Sequence, residues 1–98
     1  MFTRFEGTSF RGGINVVPPG QSSPLHTHDA EHVMLLLSGI ADWVVAGNVF
    51  RLRRRYDTLF IPAGVPYLHR NPGKKDAMFF SVASKVDLWP ASAHYDVS

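Results

Sequence analysis

The chain has 98 residues, 45% of them hydrophobic and 18% charged, which is the composition of one globular domain with one core rather than of a disordered chain. Ten Lys and Arg against eight Asp and Glu leave a net charge of +2, too small an excess to mark a nucleic-acid partner. The chain has no cysteine, which excludes disulfides, thiolate metal sites and a cysteine nucleophile.

Residues 1–8 carry Arg4 and Glu6 and no apolar core, so they do not read as a signal peptide. The longest aliphatic run, from Val33 to Leu37, is too short to span a bilayer. A soluble, cytoplasmic protein is expected, with no membrane partner. From there on, short apolar runs alternate with turns rich in Pro and Gly. They predict strands over 14–17, 25–28, 32–37, 41–45, 49–52, 58–61, 67–71 and 77–83. No window of a dozen residues keeps a 3.6-residue period, which excludes an amphipathic helix. About eight short strands in so short a chain imply an all-β barrel-like sandwich or jelly roll. The arginines at 51, 53, 54 and 55 form one basic cluster, read as a solvated hairpin or loop because no aromatic residue alternates with them. Residues 88–98 fit either a last strand or a loose end.

Four of the five histidines are His26, His28, His32 and His69. Side chains two apart on a strand share a face, so His26 and His28 are expected side by side. His32 follows a turn at 29–31 and opens the next strand. Imidazole is the commonest metal donor, and three or four of them suit Zn, Fe, Ni or Cu better than Mg or Ca. The H-x-H spacing by itself fits two exposed strand histidines as well as a metal pair.

The wider pattern resembles the cupin superfamily. Residues 20–39, from Gly20 through His26, His28 and His32 to Gly39, resemble its first motif, G-x5-H-x-H-x3/4-E-x6-G. Residues 56–71, with Pro62, Gly64, Tyr67 and Asn71, resemble its second, G-x5-P-x-G-x2-H-x3-N. The resemblance implies a single cupin domain over 1–98, a double-stranded β-helix of short antiparallel strands. His32 stands six residues before Gly39, where the motif has Glu, and Glu31 is one residue out of register. A one-residue slip turns a strand side chain to the other face, which favours His32 as ligand. Tyr67 takes the place of the second-motif histidine. His69 lies two residues on, roughly 6.5–7 Å along the strand. Either His69 or Tyr67 is expected to complete the site. Tyr56 occupies the opening Gly position, which implies a looser or longer turn there.

The ligand set implied is His26, His28, His32 and His69 around one divalent transition metal, Fe or Zn before Mn, Ni or Cu. A neutral set of ligands makes a stronger Lewis acid than one containing carboxylate. All-histidine cupins resemble the iron dioxygenases that cleave diketones or thiols and the zinc-dependent polyketide cyclases. The function expected is a small metal-dependent enzyme acting on an oxygenated or carbonyl-bearing small molecule. The alternative is a non-catalytic small-molecule-binding or sensing cupin. Tyr67 and Glu31 are the candidate acid–base groups. Met34, Leu36, Trp43 and Phe60 are the expected pocket lining. A sugar-phosphate isomerase is disfavoured, because the only anion-ready cluster visible in the sequence, 51–55, is expected away from the barrel mouth. A homodimer is expected through the N-terminal strand, where Phe2, Phe5 and Phe10 have little else to bury them.

Overall fold

The computed structural model describes residues 3–85, so Phe2 and the segment 88–98 lie outside the described residues. Eight strands run β1 (Arg4–Glu6), β2 (Phe10–Val17), β3 (His32–Ser38), β4 (Ala41–Val45), β5 (Asn48–Leu52), β6 (Thr58–Ile61), β7 (Tyr67–Arg70) and β8 (Ala77–Ser84). They form a five-stranded sheet, β1-β2-β8-β3-β6, and a three-stranded sheet, β5-β4-β7. Every pairing is antiparallel. This is the jelly-roll architecture, and among the described residues no helix is long and apolar enough to cross a membrane.

Period-two alternation decides what enters the core. On β3, His32, Met34 and Leu36 are buried, whereas Val33 is 40% exposed. On β8, Ala77, Phe79 and Ala83 point inward, and on β4 Ala41, Trp43 and Val45 do. Trp43 meets Phe79 edge to face, with ring centroids 5.0 Å apart, and this contact ties the two sheets together. Leu36, Ile61 and Trp43 are fully buried around it.

Two strands differ from expectation. β2 starts at Phe10 rather than Ile14 and pairs along its whole length with β8, because Gly12 and Gly13 pack there against β8 and β1 instead of breaking the strand. β1 was absent from the sequence reading, since its three residues are all exposed and show no apolar alternation. The expected strand 25–28 does not form. That segment runs beside β7 with only two isolated bridges, Ser22 to Arg70 and His26 to Tyr67. Four steps on one side match three on the other, which is a bulge, and Pro24 has no N–H to give to a ladder.

The turns carry the remaining backbone detail. Ala46 and Gly47 have φ of 48° and 82° and close the β4–β5 hairpin as a two-residue turn of the primed type. Tyr56 has φ of 77°, so the turn before β6 keeps the glycine conformation with a tyrosine in it rather than becoming looser. Asp57 Oδ2 accepts the backbone N–H groups of Arg53 and Arg54, both at 2.9 Å, and these two bonds hold its carboxyl below the usual range. Arg53 is drawn away from the basic cluster. Its Nη1 lies 2.8 Å from Asp42 Oδ1, and Arg70 Nε lies 3.4 Å from Asp42 Oδ2.

Candidate functional site

A cavity of about 590 Å³ opens between the sheets at the end where β3 and β7 begin. Its walls are the inward residues of β2, β3, β7 and β8, closed on one side by Ser23, Pro24 and His26. The rim is β1 with Arg4 and Glu6, together with Arg11.

Three of the expected histidines pack together, although two of them are not on a strand: His26 and His32 line the cavity, while His28 is buried against both and does not line it. The ring centroids of His26 and His28 are 4.7 Å apart, and those of His28 and His32 are 4.8 Å apart. The backbone explains the convergence. His26 exchanges N–H and carbonyl bonds with Tyr67 at 3.0 and 2.8 Å, and Gly64 N–H donates to the His28 carbonyl at 2.7 Å. His32 is the first residue of β3, held in register opposite Ile61 and Ala83.

His26 Nδ1 lies 2.6 Å from the Pro24 carbonyl oxygen. A carbonyl only accepts, so Nδ1 carries the hydrogen and Nε2 keeps its lone pair, the orientation that metal-ligating histidines use. His28 and His32 are both buried. His32 Nδ1 is a buried nitrogen without a hydrogen bond among the described residues. Burial lowers the His32 pKa, the backbone of Ala30 opposes that in part, and the charges of Arg11 and His26 lower it further.

Tyr67 stands among the three imidazoles, its ring centroid 4.5, 5.5 and 5.9 Å from those of His26, His28 and His32. Burial pushes its phenol up to about 12, which makes it a neutral hydrogen-bond donor near pH 7 rather than a phenolate. His69 lines the same cavity but packs deeper, against Trp43 and Phe79 at 5.7 and 5.5 Å. None of the ring contacts among the described residues joins it to the other imidazoles. Its pKa is lowered, by burial first and by His26 second.

The other expected site residues divide. Met34 lines the cavity, while Leu36 and Trp43 lie in the core beneath it. Phe60 is 52% exposed on the outer face, because Leu59 and Ile61 take the inward phase of β6. Glu31 is exposed and does not line the cavity. Its backbone, not its carboxylate, is engaged, bonding Ser84 at 3.1 and 3.0 Å. The sequence reading missed Arg4, Arg11, Asn15 and Ser81, all on the cavity wall. The signal was present: Arg11, Gly13 and Asn15 are in phase with the core residue Val17, but only once β2 is extended back to Phe10. The cluster at 51–55 does lie off the cavity.

Among the described residues no three His, Asp or Glu side chains stand, as placed, where they could hold one metal ion. The chemistry of the donors nevertheless fits a transition metal: clustered imidazoles, one of them with its Nδ1–H anchored to a carbonyl so that Nε2 keeps its lone pair.

No curated protein matches the chain. Among solved structures, the cupin domain of Schizosaccharomyces pombe Cnp3 is similar at 21% identity and a TM-score of 0.78, over 94% of this chain and 68% of that one. A Cupin 2 conserved barrel domain protein from Salinispora arenicola is 24% identical with a TM-score of 0.75, over 85% and 73% of the two chains. Salicylate 1,2-dioxygenase from Pseudoaminobacter salicylatoxidans, as a W104Y mutant, is 22% identical with a TM-score of 0.72, over 76% of this chain and 22% of that enzyme. The Cupin_2 family pattern, a cupin domain, matches residues 13–83, the span that holds both motifs, strands β3 to β7 and most of β2 and β8, and the chain therefore belongs to the cupin family.

Proposed function

We propose that the cavity is the active site of a small metal-dependent enzyme acting on an oxygenated or carbonyl-bearing small molecule. His26, His28 and His32 would hold one divalent transition metal, Fe or Zn before Mn, Ni or Cu. The observation that carries this reading is the packing of three imidazoles around Tyr67, two of which, His26 and His32, line the cavity. A bound metal would supply Lewis acidity or oxygen activation. The chain's own residues do the rest. Pro24 fixes the His26 tautomer, and burial keeps His32 neutral so that its lone pair is available near pH 7. Tyr67, held protonated, donates a hydrogen bond to a substrate oxygen, and Met34 and Phe79 exclude water from the cavity wall. One enzyme with this fold, the salicylate dioxygenase, supports the reading at the level of the family.

The test is metal content. The protein purified from metal-supplemented medium should carry about one metal per chain, and His28→Ala should lose most of it. Equal metal in that variant and the parent would overturn the site. Loss of metal in His69→Ala would make His69 the fourth ligand. Tyr67→Phe should keep the metal and lower turnover by ~10²–10⁴-fold, as loss of a general acid does.

The second reading is a non-catalytic small-molecule-binding cupin. It is favoured by the absence, among the described residues, of three ligand groups already in place. A protein that takes up no Zn, Fe or Co in equilibrium dialysis yet binds small molecules in the cavity would establish it.

A further inference from the structure

The mouth of the cavity is more cationic than the sequence indicated. Arg11 and Glu6 are opposite each other across β1 and β2, and Arg4 is opposite Gly13. All three side chains therefore share the inward face. The space over Gly13 is taken by the Thr3 carbonyl oxygen and by Arg4, whose Cγ a Cβ at that glycine would meet at 3.0 Å. Glu6 is the one carboxylate among the described residues of this mouth, and its Oε2 lies 2.7 Å from Lys85 Nζ, so the cations here outnumber it. Among the described residues neither Arg4 nor Arg11 makes an ion pair. Arg11 is half-buried. Below these arginines, Asn15 and Ser81 line the wall, and Asn15 Nδ2 donates to Ser81 Oγ at 3.0 Å. Deeper still, the wall is Met34 and Phe79.

We propose that Arg11 and Arg4 form an anion subsite, and that the cavity takes a small carboxylate with an apolar or aromatic body. The carboxylate pairs with the guanidinium of Arg11, whose planar fork matches two oxygens at once, and Arg4 adds charge at the mouth. The body lies against Phe79 and Met34. The volume of the cavity is that of a small-molecule site, roughly 300–1,000 Å³. The proposal rests on the functional reading above only in taking this cavity as the ligand site; it does not need the metal.

The experiment titrates metal-free protein with sodium benzoate and with benzamide, its uncharged isostere, by calorimetry. Benzoate should bind at least about ten times more tightly than benzamide, the difference expected of a charged hydrogen-bonded pair. Arg11→Gln should remove that preference, Arg11→Lys should restore part of it, and Arg51→Gln on the outer hairpin should leave it unchanged. Equal binding of benzoate and benzamide by the unaltered protein would overturn the subsite without requiring any variant to fold. So would benzoate binding that survives Arg11→Gln, and so would binding that appears only after Zn is added, since the metal would then be the anion's partner. His28→Ala separates the two proposals: it should lose metal yet keep its preference for benzoate.

Discussion

Tyr56 holds a φ of 77°, a conformation that costs a residue with a Cβ about 1–2 kcal/mol. Its side chain is 64% exposed, and its backbone N–H and carbonyl keep their bonds to Leu36 and Thr58 whatever the side chain. Tyr56→Gly should therefore stabilise the protein by about 0.5–1 kcal/mol after the extra chain entropy of glycine. A denaturant midpoint unchanged or lowered would show that the ring contributes more than the strain costs. The histidines set a second expectation. Burial lowers the pKa of both His32 and His69 from 6.5, so below that pH the unfolded chain binds more protons than the folded one. Stability of the metal-free protein should be full above about pH 6.5 and decline as pH falls through the lowered values. Urea melts between pH 8 and 5 check this, and a flat profile would mean that both rings charge without penalty.

At the level of elements, the irregular segment before β3 depends on Asn71. The residue is 1% exposed. Its Nδ2 donates to the Val17 and Lys75 carbonyls at 2.9 and 2.7 Å, and its Oδ1 accepts from Gly73 N–H at 2.8 Å. Its backbone bonds Gly20 and Gln21. One side chain thus joins the end of β2 to the turn between β7 and β8. Asn71→Ala should cost about 2–4 kcal/mol, since buried partners are left unsatisfied; thermal melts give the value, and a loss under about 1 kcal/mol would mean that water replaces the amide. Strands β3 to β8 were legible in the sequence because turn residues bound short apolar runs there, but their phase was not always legible, since Val33 and Phe60 are apolar and yet face outward. β1 was not, because its three exposed residues carry no apolar signal. Segment 25–28 was misread because His26 and His28 imitate strand alternation, whereas Pro24 and a one-residue bulge prevent the ladder. The histidine cluster was still found, through motif spacing. The arginine mouth was missed because it requires β1 and the first half of β2, the two pieces the pattern hid.

At the level of the whole molecule, the outer face of the five-stranded sheet is apolar where an antiparallel sheet facing water alternates to polar residues. Phe5, Phe10, Val16, Val33 and Phe60 are 42%, 56%, 50%, 40% and 52% exposed, and Phe5 stacks on Phe80 at 6.2 Å. Contiguous patches of this kind mark interaction surfaces. A homodimer through the N-terminal strand is expected to use this face, with Phe5 and Phe10 at its centre. Light scattering at micromolar concentration should give twice the 10.9 kDa of the chain, and Phe10→Ser together with Phe60→Ser should give the single-chain mass. A single-chain mass for the unaltered protein would remove the dimer. The joint between segment 20–28 and β7 has its own consequence at this scale. Gly20, Ser23, His26 and His28 are tied to residues 64–71 by backbone bonds, two of them through the His26–Tyr67 pair, and Ser23 Oγ accepts the His69 N–H at 2.9 Å. The histidines are thus stitches in a seam as well as candidate ligands, and whatever draws them together from inside also fastens the barrel shut. Occupancy of the site and slow exchange of the Ser23, His26 and Tyr67 amides should rise and fall together, as a latch moves with its bolt.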